Sequence, residues 1–255
     1  MGGDRKRPWF RTVEVLLIPW LRSIIRHRWS GGENVPRTGG VVVAANHISK
    51  IDPVTFGYFI DSSGRTPRFL AKAELFEARG LGRVFRGTDM IPVHRGAQSA
   101  AASVAAAVAA VRDQGALVIV YPEATITRDP GMWPMVGKTG AARIALEAGA
   151  PVIPVAQWGA QRVLAPYSHR PTLLPRRTVY ARAGAPVDLD DLRGRELTAE
   201  LLAEATMRIM NAITAELEVI RGEQAPTERY DPRTAGVAPF GSPGAVGGAA
   251  EQGTV

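Results

Sequence analysis

The chain has 255 residues, no cysteine, 45% hydrophobic residues and a formal net charge of +7, from 31 Lys plus Arg against 24 Asp plus Glu. That length suits one globular domain, or one domain with tails, and the lack of cysteine excludes a disulfide scaffold, a thiolate metal site and a cysteine nucleophile. The histidines, His27, His47, His94 and His169, show no pair one helical turn apart, so no metal centre is expected, and the basic balance points to an anionic partner without saying which.

Much of the charge lies at the start, where Arg5, Lys6, Arg7, Arg11, Arg22, Arg26 and Arg28 face only Asp4 and Glu14. The apolar run from Val13 to Ile25 is broken by Glu14, Pro19, Arg22 and Ser23, which makes it too short for the roughly 20 apolar residues of a membrane span. Arginines also follow it where a secretory signal would carry small residues. With Trp9, Phe10, Trp20 and Trp29 beside arginines, residues 1–31 have the composition of an amphipathic helix lying in a membrane interface. A helix packed on the domain with a solvated basic face has the same composition.

From Val35 on, short β-branched runs alternate with helical stretches. Val41 to Ala45 and Ala116 to Tyr121 read as buried strands and Met90 to Val93 as a short one. Pro151 to Ala156 reads as a fourth, which its prolines place at an edge or limit to a few ladder bonds. Ala97 to Asp113 is an Ala-rich helix stopped by Gly115, and Thr139 to Ala148 a helix stopped by Gly149. Thr178 to Ala185 can add a strand, and Thr198 to Ile220 spaces Leu, Met and Ile as a helix does. The expected fold is α/β, a mostly parallel central sheet flanked by helices over residues 32–222. Residues 223–255, rich in Pro, Gly, Ala and Thr, are expected to be a disordered tail.

The sharpest local signal is Asn46-His47-Ile48-Ser49-Lys50-Ile51-Asp52-Pro53, directly after the first of those strands. Ligands of α/β sheets bind beyond the carboxyl ends of the strands, where His47 emerges. Five residues on one continuous helix would turn His47 and Asp52 about 140° apart, so they meet only across a turn. Asp52 and Pro53 supply one, since Asp and Pro favour helix starts. If they meet, the carboxylate fixes the imidazole tautomer and the other ring nitrogen acts as a general base. With no cysteine and no G-x-S-x-G elbow, the nucleophile is then the substrate's own hydroxyl. The plain alternative is that Asp52 caps a helix and His47 is a satisfied strand-end residue. Two further strand ends carry polar groups, Arg95 after Ile91-Pro92-Val93-His94 and Glu123 after Tyr121-Pro122. Arginine binds phosphate through a planar fork, and Lys72 and Lys138 are candidates for a second cation.

Taken in order, Asn46-His47-x-Ser49-x-x-Asp52, Met90-Ile91-Pro92-Val93-His94-Arg95, Tyr121-Pro122-Glu123-Ala124-Thr125 and Val152-Ile153-Pro154-Val155 resemble the four motifs of the glycerolipid acyltransferases, whose best-known members are 1-acyl-sn-glycerol-3-phosphate acyltransferases. The resemblance spans roughly Gly32 to Ala185. It implies that His47 is the base and Asp52 its orienting partner. It further implies that Lys72, Arg95, Glu123, Ala124, Thr125 and Arg128 line the acceptor site. The donor would be acyl-CoA or acyl-carrier protein and the acceptor a lysophospholipid. No metal, cofactor or nucleic acid is implied, and the work would be peripheral, on the anionic cytoplasmic face of the cell membrane. The third motif departs from the family's usual Pro-Glu-Gly-Thr-Arg, with Ala124 at the glycine and Ile126 at the arginine. Ala124 is strained there if the backbone has positive φ, and Arg128 is the nearest guanidinium to replace the missing one. The Thr127 to Met135 stretch resembles a subgroup from high-GC Gram-positive bacteria. The readings left beside phosphatidate synthesis are another acceptor (glycerol 3-phosphate, a lyso-ornithine lipid or a glycolipid) and a noncatalytic protein binding anionic lipid.

Overall fold

The computed structural model describes residues 8–93, apart from 78 and 80, and residues 97–236. In chain order the elements are α1 (Pro8–Ile24), β1 (Ile25–Ser30), β2 (Val41–Ala45), α2 (Asp52–Ser62), β3 (Pro67–Lys72), α3 (Glu74–Glu77), α4 (Leu81–Gly87), β4 (Ile91–Val93), α5 (Ala97–Gln114), β5 (Leu117–Val120), α6 (Gly140–Ala148), β6 (Val152–Trp158), β7 (Arg177–Ala183) and α7 (Ala199–Arg221). The seven strands form one sheet in the order β1-β7-β6-β2-β5-β3-β4. Strands β6, β2, β5, β3 and β4 are parallel, whereas β7 runs antiparallel to β6 and carries β1 parallel to itself.

Every residue of β2 and β5 is buried, as expected where both faces of a parallel sheet are covered. Val42, Ala44, Val118, Val120 and Val152 face α5, α6 and α7. Val41, Val43, Ala45, Leu117 and Ile119 face Phe56, Phe59 and Ile60 of α2. The chain therefore leaves β2 towards α2 on one face and leaves the adjacent β5 towards α6 on the other. This divergence opens a crevice at the carboxyl ends of the two strands, the usual place for a ligand. At the opposite end of the sheet the guanidinium of Arg65, 1% exposed, donates to the carbonyls of Pro36 (2.6 Å), Gly39 (2.9 Å) and Gly115 (2.9 Å).

Three expectations need correction, and two strands lie where none was expected. A boundary near residue 31 cuts through the sheet, because β1 is one of its strands and Leu21, Ile24 and Ile25 are core residues. Arg26 and Arg28 on an exposed edge disguise β1 in the sequence. Strand β3, short and opened by proline, escaped the pattern as well. Of the two readings of the prolines at β6 the edge placement fails, because β6 lies between β7 and β2, and the shortened ladder holds. The carbonyl of Pro154 accepts from Gly184 N (2.9 Å), so its missing donor points to the β7 side, where the ladder has already ended at Val155 and Ala183. Finally, residues 223–236 lie back on the domain. Arg229 donates to Asn211 Oδ1 (2.6 Å), Val136 N to Tyr230 O (3.1 Å) and Ala225 N to Glu218 Oε1 (2.7 Å). The rest of the expected tail lies outside the described residues.

Candidate active site

The crevice is built from three strand ends. Beyond β2 the chain turns once and enters α2, with Pro53 in the first helical turn. That turn brings Asp52 back under His47, and Asp52 Oδ2 lies 2.8 Å from His47 Nδ1. The same oxygen accepts the backbone N–H of Ile48 (2.6 Å) and Ser49 (2.8 Å). Asp52 thus closes the turn before its helix instead of capping the helix. Its side chain is fully buried, while that of His47 is 18% exposed. A carboxylate oxygen only accepts, so Nδ1 carries the proton and Nε2 is the nitrogen left for a substrate.

The imidazole is also held from its face. The ring of Tyr121, at the end of β5, stacks on it with centroids 4.3 Å apart and planes 16° from parallel. Burial, with the negative charge of Asp52 second, pushes the Tyr121 phenol well above its ordinary range, so the ring is neutral. Beside it Asn46 and Gln157 clamp β2 to β6: Asn46 Nδ2 donates to Gln157 O (3.1 Å), Gln157 N to Asn46 Oδ1 (2.8 Å) and Gln157 Nε2 to Asn46 O (2.7 Å). The family resemblance quotes Tyr121 and Asn46 without giving these contacts. Gln157 was missed altogether, although its place two residues beyond Val155, the partner of Ala45, sets it level with His47.

Glu123 has a different place from the one expected. It is 3% exposed, and its two oxygens accept from His47 N (3.0 Å) and Met135 N (3.0 Å). Thr127 N donates to His47 O (2.7 Å), so the loop after β5 grips His47 by both its backbone groups. Both Glu123 oxygens are thus turned to backbone donors, one of them that of His47. Burial raises its carboxyl to about 8, against the pull of the two backbone donors. Because the N–H groups of His47, Ile48 and Ser49 are all engaged, an oxyanion here has to be met by other donors.

Ala124, at the family's glycine, is exposed and has φ +58°, the condition under which alanine is strained. Thr125 and Arg128 are half-buried in the same loop, and Ile126 is buried. Lys138 is exposed at the end of the same loop, its backbone N–H donating to Pro122 O (2.8 Å); partial desolvation lowers its ammonium, with the charge of Arg233 second. Lys72 ends β3 in register with Val93 of β4, which puts its backbone on the crevice side of the sheet. Arg95 lies outside the described residues. No cluster of metal-ligating side chains occurs among the described residues.

A family model described as acyltransferase matches residues 26–158, just over half of the 255 residues. The chain belongs to the acyltransferase family. The matched stretch contains the dyad, the Tyr121 stack and Glu123. An acyltransferase from Borreliella burgdorferi, a 1-acyl-sn-glycerol-3-phosphate acyltransferase, is 32% identical over 127 residues, which cover 49% of this chain and 48% of that protein. The match thus spans about half the length of that curated relative. The crystal structure of the 1-acyl-sn-glycerophosphate acyltransferase from Thermotoga maritima matches with a TM-score of 0.63 and 23% identity, over 85% of this chain and 81% of that one. At that identity the likeness bears on the fold, a mostly parallel sheet flanked by helices behind an N-terminal helix.

Proposed function

We propose that this acyltransferase-family protein moves an acyl chain from a thioester, acyl-CoA or acyl-carrier protein, to the free hydroxyl of 1-acyl-sn-glycerol-3-phosphate, giving phosphatidate. The observation that carries the reading is the 2.8 Å contact of His47 Nδ1 with the buried Asp52, which leaves Nε2 at the mouth of the crevice. Nε2 takes the hydroxyl proton as the oxygen attacks the thioester carbonyl. The C–O bond forms, the C–S bond breaks, and the proton passes to the departing thiolate. Lys72, Arg95 and Arg128, with Lys138 nearby, hold the phosphate, and Thr125 lines the same loop.

Acceptor and product are amphiphiles, so the work takes place at a bilayer, on its cytoplasmic side. No described helix is long and apolar enough to cross a membrane. Helix α1 instead exposes Val15 (69%), Leu16 (71%) and Trp20 (46%), with Arg11 and Arg22 exposed beside them, which supports a peripheral anchor. Ile126, buried where the family pattern carries an arginine, favours a second reading in which the acceptor is glycerol 3-phosphate, a lyso-ornithine lipid or a glycolipid.

The test is thiol release from oleoyl-CoA in detergent micelles, with and without 1-acyl-sn-glycerol-3-phosphate, for the native protein and His47→Ala. Acceptor-dependent release that the substitution lowers by about 10³-fold or more is expected. Release that survives in His47→Ala would remove the base from the scheme, and a response to another acceptor alone would establish the second reading.

A further inference from the structure

The loop between β6 and β7 lies beyond the stretch that matches the family model. From Gly159 to Val187 the chain carries five arginines and a histidine and no Asp or Glu. Arg162, His169, Arg170 and Arg176 are exposed, and among the described residues no carboxylate forms an ion pair with them. At its turn the loop also exposes Leu174, at 78%. An apolar side chain among arginines that carry no ion pair is the composition of a surface that meets anionic headgroups and reaches just below them.

The loop is fastened in two directions. Towards α1, Val163 and Leu173 pack with Leu17, Ile18 and Leu21, and Arg176 Nη2 donates to Ile25 O (2.8 Å). Towards the crevice, Ser49 Oγ donates to Leu164 O (2.6 Å), Lys50 Nζ to Tyr167 O (3.2 Å) and Tyr167 Oη to Ile126 O (2.7 Å). The loop therefore bridges the exposed apolar face of α1 and the rim that carries His47.

We propose that residues 159–176 and the outward face of α1 form one continuous docking surface for an anionic bilayer, which presents the crevice to the lipid layer. The proposal deepens the membrane part of the function given above by adding a second contact element. An acidic carrier protein would also meet the arginines. It would leave Leu174, Val15 and Leu16 without an apolar partner, however, and the bilayer accounts for both chemistries.

The experiment uses the full chain and no substrate, so its result does not depend on acyl transfer. Co-sedimentation with vesicles of phosphatidylglycerol and phosphatidylcholine is compared for the native protein, Arg170→Glu with Leu174→Ser, and Arg112→Glu, an equal charge change on α5. The loop variant is expected to lose vesicle binding about tenfold or more, since each unit of charge near an anionic surface contributes about fivefold and Arg170→Glu changes two, while Arg112→Glu binds as the native protein does. Because the chain has no cysteine, Leu174→Cys also takes a single environment-sensitive label, whose emission should shift to the blue on anionic vesicles only. Unchanged partitioning of the loop variant, or a label that stays in water, overturns the proposal. So does a loop variant that binds vesicles normally but loses transfer from acyl-carrier protein, which would assign the surface to the carrier. Failure of the acyl-transfer test with vesicle binding intact would overturn the reaction and leave the surface standing.

Discussion

Single side chains decide whether His47 can work as a base. Asp52 fixes its tautomer, Glu123 and Thr127 hold its backbone, and Tyr121 fixes the plane of its ring. A ring on one face restricts the imidazole to orientations that keep Nε2 towards the crevice, and small displacements of a catalytic group are costly. Tyr121→Phe keeps the stack and is expected to retain kcat within about threefold, whereas Tyr121→Leu should lose tenfold or more with KM little changed. Equal losses in both variants would locate the effect in the hydroxyl instead. At Ala124 the strain foreseen from sequence is present, with φ +58°. Ala124→Gly should therefore raise folding stability by about 0.5–1 kcal/mol, measured as a higher urea midpoint at unchanged slope.

Elements couple the site to the rest of the molecule. Helix α1 looked detachable in the sequence, yet its inner face packs in one cluster with Ile48 and Ile51, which lie within the His47 to Asp52 turn. Leu21→Ala removes a fully buried side chain from that cluster and is expected to cost about 2–5 kcal/mol. It should also lower kcat on a micellar acceptor, an effect that a helix serving only as an anchor would not produce. At the other side of the crevice, Arg221 of α7 lies between the rings of Trp133 and Trp158, 3.9 Å and 4.4 Å from their centroids, and donates to Gly131 O (2.7 Å). The long loop after the third motif is thereby pinned to β6.

For the whole molecule, the buried carboxyl of Glu123 makes stability depend on pH. Its folded value, about 8, is raised from an ordinary 4.5, so between those values the folded protein keeps a proton that the unfolded chain releases. The stabilising contribution is therefore present in full below about 4.5 and is lost as the pH rises through about 8. Glu123→Gln cannot titrate, so the native protein should lose stability relative to it between pH 5 and pH 8 in urea unfolding; parallel curves would show that the carboxylate is ionised throughout.

Much of this was legible from the sequence. The buried strands β2, β5 and β6, the Ala-rich α5, the helix α7 and the polar groups at three strand ends all carry local signals, because apolar period, glycine stops and a turn at Asp52-Pro53 act within a few residues. Strand β1 and the interior place of β6 do not, since pairing partners are set by contacts between distant segments. Whether Glu123 faces a ligand or braces the base, how Tyr121 lies over His47, and how the loop after β6 joins α1 to the crevice were likewise decided only by the tertiary structure. Residue type fixes which chemistry a side chain can perform; burial and the direction of its neighbours' hydrogen bonds fix which part of that chemistry remains free.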